Sequence, residues 1–195
     1  MERKYFIPSV LVMVTLLGAC APKGANHVEN QMTIGNKPQG VLVTETAQPE
    51  KFSSVPPPDC PVTVPQESPF VPPPPYDRLG FVGEFWYGSN ALWTAVRRDG
   101  TWSALPHNPG GYTQKVFWWR EGYSISEEPE PALTVTAERL DGEAPSIKGS
   151  KATNASASDI GSAMLVGVDL PTLGCWRITG NYGEAELSFV MWVAP

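Results

Sequence analysis

Between Cys60 and Pro195 the apolar positions come in short runs broken by Gly, Pro, Asn and Asp, the texture of a chain of short strands. Leu133, Val135 and Ala137 alternate with Thr134, Thr136 and Glu138, which marks a strand with one wet face. Leu187, Phe189, Met191 and Val193 share one face in the same way. Residues 115–119, 162–169 and 174–180 are further β-prone runs. Residues 91–96 followed by 97–102 read as a hairpin turning on Asp99-Gly100, a pair suited to a type I′ turn. No window of a dozen residues carries a 3.6-residue apolar period. The pattern predicts an all-β fold, a two-sheet sandwich.

The chain before this region has another texture. Residues 21–79 hold 13 of the 21 prolines and none of the seven tryptophans. Residues 21–59 contain only Val41-Leu42-Val43 as an apolar island, too little burial to offset ordering entropy. They read as a Pro-rich disordered tether, reaching on the order of 35 Å as a coil or about 120 Å as extended polyproline. Pro56-Pro57-Pro58 and Pro72 to Pro75 are stiff pieces within or just after it.

At the N-terminus, Glu2, Arg3 and Lys4 precede residues 5–17, which carry no charge. A basic region followed by about 13 apolar residues is the layout of a secretory signal, and it falls short of the roughly 20 residues a spanning helix needs. Leu17-Gly18-Ala19-Cys20 closes the run and resembles the lipobox of bacterial lipoproteins. The resemblance implies that Cys20 Sγ receives a diacylglyceryl group, that cleavage falls between Ala19 and Cys20, and that the new amine is acylated, by palmitate for example. Two or more chains anchor stably where one does not. An ordinary signal peptide with Cys20 near its cleavage site is the alternative. The expected organisation is a signal peptide over 1–19, a lipidated Cys and tether over 20–59, and a sandwich domain over 60–195. The expected location is the outer face of the cell membrane, or the outer membrane, attached through the lipid. Removing Glu2, Arg3 and Lys4 changes 14 basic and 20 acidic residues to 12 and 19. An acidic chain without a basic block is a poor partner for nucleic acid.

With Cys20 lipidated, Cys60 and Cys175 remain, and an even pair in an oxidising compartment reads as a disulfide. A two-Cys metal site is the rival, although no His or further Cys lies near either residue. Closing about 115 residues would stabilise by roughly 4–5 kcal/mol in the chain-entropy model. The segment from Gly174-Cys175-Trp176 through Ile178 to Gly180 and on to Val190 looks like the last two strands of an immunoglobulin-like β-sandwich. Trp176 and Ile178 face one way, Cys175 and Arg177 the other. A bond from Cys175 to Cys60 would therefore pin the leading segment across a sheet face or edge. Cys60-Pro61-Val62-Thr63, Asn90-Ala91-Leu92-Trp93-Thr94, Phe117-Trp118-Trp119-Arg120 and Gly174-Cys175-Trp176-Arg177-Ile178-Thr179-Gly180 together resemble a group of uncharacterised secreted bacterial proteins and lipoproteins. That resemblance covers residues 60–193 and implies a β-sandwich with paired cysteines. It brings no activity with it.

Motifs that carry chemistry are sparse. The chain has no Gly-x-Ser-x-Gly, His-Glu-x-x-His, phosphate-cradling Gly loop or Cys-x-x-Cys. His107 is the only histidine in the domain, since His27 lies in the tether, so no metal site or cofactor is expected. Glu127, Glu128 and Glu130 alternate with prolines and read as a solvated loop. The aromatic run from Phe85 to Trp119 is the functional lead. Consecutive strand residues point to opposite faces, so Trp118 and Trp119 cannot enter one core. Either the Pro-rich leader covers the outer aromatics, or Trp86, Trp93, Trp118 and Trp119 contribute to a binding surface that stacks on sugar rings or a protein. The sequence favours a non-enzymatic binding module on the cell envelope, with an envelope protein or glycan as partner. A structural subunit of an envelope assembly is the alternative, ahead of an enzyme without a recognisable motif.

Overall fold

The structure is a computed structural model that describes residues 53–78 and 81–195. The signal peptide expected over 1–19, Cys20 and the expected tether as far as residue 52 lie outside the described residues. Eleven strands follow one another: β1 (Glu84–Ser89), β2 (Leu92–Arg97), β3 (Thr101–Trp102), β4 (His107–Asn108), β5 (Gly111–Trp119), β6 (Thr134–Arg139), β7 (Ile147–Lys148), β8 (Thr153–Ala157), β9 (Gly161–Leu170), β10 (Gly174–Tyr182) and β11 (Ala185–Val193). Six form one sheet in the order β1-β2-β5-β9-β8, with β4 added beside β5. The other five form a second sheet, β3-β11-β10-β6-β7.

The pairings give an immunoglobulin-like sandwich. With β2, β5, β9 and β8 as strands A, B, E and D, the order A-B-E-D faces C-F-G, supplied by β6, β10 and β11. β7 adds outside β6 as strand C′ does in variable-type domains. β1 and β4 are extra to that plan. The alternating runs at 132–139 and 185–193 are β6 and β11, with their apolar positions facing inward as their period requires.

The hairpin expected at Asp99-Gly100 is not formed. A turn is there, since Gly100 N donates to Arg97 O at 3.0 Å and Asp99 Oδ1 accepts from Thr101 N at 3.1 Å. But β2 already has β1 on one side and β5 on the other, so residues 101–102 find no free edge. The chain crosses instead to the opposite sheet, where β3 runs parallel to Trp192–Val193 and Trp102 packs against Phe189. The hairpin belongs to β1 and β2, around Asn90-Ala91, with Ser89 opposite Leu92.

Three apolar clusters follow from strand alternation. Between the sheets lie Leu92, Val116, Trp118, Met164, Trp176, Ile178, Phe189 and Met191 with their neighbours. On the outer face of the six-stranded sheet, Trp86, Trp93 and Trp119 pack with Ile160 and Ala163. On the outer face of the other sheet, Cys175 and Trp192 pack with Cys60 and Ala194. Cys60 and Cys175 form a disulfide, with Cα atoms 5.7 Å apart. Thr63 extends the attachment: its N donates to Val190 O and its Oγ1 accepts from Val190 N, both at 2.9 Å. Contact with the sandwich already begins at Ser53, whose carbonyl accepts from Trp192 Nε1 at 2.8 Å. Ser53 falls within the span assigned to the tether, ahead of the domain start expected at Cys60.

At Gly180 on β10 the two sheets meet tightly. A Cβ there would come within 2.6 Å of the fully buried Trp118 ring. That ring has no solvent side to move toward, so Gly180→Ala should destabilise the domain by about 1–3 kcal/mol. Denaturant unfolding followed by tryptophan fluorescence checks this, and an unchanged midpoint would refute the tight contact.

Candidate functional site

The leader decides what the aromatic face can do. Strand pairing places Trp93 opposite Trp119 and Trp86 opposite Ala95, so three indoles line one outer face. Phe70 and Tyr76 of the leader pack onto Trp93, with ring centroids 5.8 and 5.9 Å away. Phe81 stacks on Phe117 at 6.1 Å. Tyr76 also fastens the leader, its hydroxyl donating to Ser162 O at 3.1 Å and accepting from Ser162 N at 3.2 Å. In consequence Trp93 and Trp119 are 0% exposed and Trp86 is 8% exposed.

The candidate binding surface of Trp86, Trp93, Trp118 and Trp119 is therefore not an open platform. Trp118 sits between the sheets, and the other three lie beneath the leader. Their indole N–H groups fare differently. Trp119 Nε1 donates to Ile160 O at 3.0 Å. Those of Trp86, Trp93 and Trp118 are buried without a hydrogen-bond partner among the described residues, a state that costs about 1–3 kcal/mol for each donor.

Two grooves open beside the leader. The first, about 310 Å³, lies between Gln66, Pro69 and Phe70 and the end of β1, with Leu187 of β11 at its side. The second, about 270 Å³, runs between the turn Pro73 to Tyr76 and the loop Glu121-Gly122-Tyr123, and Trp93 lines its base. The Pro74–Pro75 peptide in that turn is cis, and Tyr76 N donates to Pro73 O at 3.0 Å. The sequence reading missed the second groove because its walls come from segments read as spacer and as loop. The only signal was an aromatic residue directly after four prolines.

Behind the groove the long loop between β5 and β6 is held by a polar network. Glu128 Oε2 accepts from the Tyr182 hydroxyl, Oε1 accepts from Ala132 N at 2.8 Å, and Arg120 lies 3.6 Å away. The Arg120 guanidinium sits over both the Tyr182 and Tyr123 rings, 5.1 and 5.7 Å from their centroids, a cation–π arrangement. The Tyr123 hydroxyl donates to Asn154 Oδ1, and Asn154 Nδ2 donates to the carbonyls of Glu128 and Pro129 at 3.1 and 2.8 Å. Of the acidic cluster expected to be solvated, Glu127 and Glu130 are exposed. Glu128 is not; its side chain is 19% exposed because the loop folds back onto Tyr182 and Arg120.

These surroundings set the ionisation of the network. Burial raises the Glu128 carboxyl, but the Tyr182 hydroxyl, Ala132 N–H and Arg120 outweigh it and hold the group below its ordinary value. Burial, then the Glu128 charge, pushes Tyr123 up to about 12. Elsewhere, burial raises Glu84 against the opposing pull of Arg97. Among the described residues no group of three or more His, Cys, Asp or Glu side chains could hold a metal ion. His107 lies on the exposed β4, its ring 4.7 Å from that of Tyr112. Compared with protein-family models, with curated proteins and with solved structures, the chain matches none.

The network gives stability a dependence on pH at both ends. Glu128 is depressed in the folded state, so its contribution is present above its unfolded value of 4.5 and fades as pH falls through the folded value. Tyr123 is raised, so its contribution is present below 10.0 and fades as pH rises through about 12. Glu128→Ala should cost on the order of 2 kcal/mol at neutral pH and flatten the acid limb of the stability curve. Urea titrations from pH 3 to 7 check this; parallel wild-type and variant curves would refute it.

Proposed function

We propose that this protein is a lipid-anchored bacterial envelope lipoprotein whose immunoglobulin-like domain is a non-enzymatic interaction module. The observation that carries the reading is Leu17-Gly18-Ala19-Cys20 at the end of an uncharged run that follows Arg3 and Lys4. Once Cys60 and Cys175 are joined to each other, Cys20 alone of the three cysteines is free for lipid. A disulfide also suits an oxidising compartment outside the cytoplasm. Support for binding comes from the grooves beside the leader, which are walled by aromatic and proline side chains rather than flat surface.

A second reading, a structural or accessory subunit of an envelope assembly, draws on one observation. Arg98 N donates to Gly83 O at 2.9 Å, which fixes the hydrogen-bonding phase of the β1–β2 pair. By alternation, Glu84, Trp86 and Gly88 turn their backbone N–H and C=O groups away from β2. Among the described residues that edge has no backbone partner, so it could take a strand from a neighbour.

The anchor reading is tested by Cys20→Ala. The variant should leave the membrane fraction and lose incorporation of labelled palmitate, while wild type retains both. A variant that stays membrane-bound sinks the proposal.

A further inference from the structure

We infer that the groove along the free edge of β1 takes an extended peptide segment of another protein, one that is apolar at consecutive positions. This rests on the second reading above and gives it a site and an occupant. Of the four strands that end the two sheets, β3 and β7 are two residues long and β8 is built of small and polar residues. Short or polar strands keep sheet edges from pairing with other chains. β1 has no such guard. It is six residues long, has no Lys or Pro, holds its single charge at the first residue, and carries Phe85-Trp86-Tyr87 at its centre.

A ligand reaches this edge through the groove of about 310 Å³ beside Phe85 to Ser89, whose far wall is Gln66, Pro69 and Phe70 of the leader. Gly88 is half-buried, and Ser89, Gln66 and Pro69 are exposed. Trp86 and Gly88 both line the groove and turn their backbone N–H and C=O groups away from β2. The edge thus offers one donor and one acceptor at every second residue, a repeat of about 7 Å. A second extended backbone matches that repeat, which is how strand addition gains its affinity.

The two sides of the edge decide the side chains. Phe85 and Tyr87 lie on the inter-sheet side with Leu187, and Trp86 lies on the outer side with Phe70. An added strand sends consecutive side chains to these two sides in turn, and both sides are apolar. A strand with apolar ground on both faces is a continuous run of Val, Ile or Leu rather than an alternating one. The volume is at the small end of the roughly 300–1,000 Å³ of ligand sites, so the groove admits a few residues of such a run and no folded partner. A second copy of this chain is a poor occupant. In each copy the leader from Gln66 to Phe70 stands before the edge, and each carries net negative charge, which opposes their approach.

The test is titration of the lipidated full-length protein in detergent with the peptide Lys-Thr-Val-Ile-Val-Thr-Lys, while amide exchange is followed by NMR. One control peptide has Ser in place of Ile, and another is N-methylated at all three apolar residues. Saturable binding of the first peptide is expected, with exchange at Trp86 and Gly88 slowed at least tenfold. Exchange at Phe85 and Tyr87 should not change, since both already pair with β2. Both control peptides should bind at least tenfold more weakly. Pro69→Asp, which puts a charge on the groove wall, should weaken binding as much; Pro69 is exposed, so this variant folds. No saturable binding, binding without protection of Trp86 and Gly88, or equal binding of the N-methylated peptide would overturn the inference. The assembly reading is tested apart, by native electrophoresis of wild-type protein extracted from its membranes. A silent titration beside a stable larger complex removes the groove alone, and protein that runs only as a lone chain removes the assembly reading whatever the titration gives.

Discussion

Trp118 and Trp119 are neighbours on β5, and a strand must send neighbours to opposite faces. Much of the architecture follows from that constraint. Trp118 fills the space between the sheets, where Gly180 makes room for its ring. Trp119 is sent outward, beside Trp86 and Trp93. A β-sandwich ordinarily leaves its outer faces to water, and three adjacent indoles in water would be a large apolar patch. The six-stranded sheet therefore needs a second cover, and the Pro-rich leader supplies it.

Magnitudes explain why that cover is proline-rich. Burying a large aromatic ring is worth about 4–6 kcal/mol as an upper figure. Ordering one unrestricted residue costs about 1–2 kcal/mol. Sixteen ordinary residues laid over the sheet would consume what three indoles gain. Seven of residues 61–76 are prolines, whose φ is fixed before folding, so the leader loses far less freedom when it docks. The Cys60–Cys175 disulfide then holds its start against the opposite sheet, and Tyr76 fastens its end at Ser162.

What was legible in the sequence was local alternation. The faces of β6, β10 and β11 could be read from period-2 runs, and Cys175 was placed opposite to Trp176 on that basis alone. The Cys60 pairing followed from counting cysteines. Partner choice between strands was not legible. Asp99-Gly100 does mark a turn, but whether the next two residues fold back or cross over depends on which edges β5 and β1 have already filled. The two-residue β3, β4 and β7 are too short to show a period, and β8 is built of small and polar residues that show none. The groove at Trp93 was hidden for a related reason, since its walls lie about 45 residues apart along the chain and meet only because the leader is pinned.

The covering of the aromatic face also changes where recognition can occur. A stacking platform would need whole indole faces in water, and here Phe70 and Tyr76 occupy that position on Trp93. The leader satisfies the apolar demand of the indoles, yet it brings no acceptor to Trp86 or Trp93. Apolar packing and hydrogen bonding are thus separated at this face: the first is complete, the second is not. At Trp93 that deficit is sealed rather than displayed, since the residue is 0% exposed and its Nε1 is buried. A wholly apolar cover tells ligands apart only weakly, by shape and size, whereas unpaired polar groups discriminate strongly by what they require. Any selectivity the domain has toward small ligands should therefore lie along the margins of the leader rather than on the tryptophans beneath it.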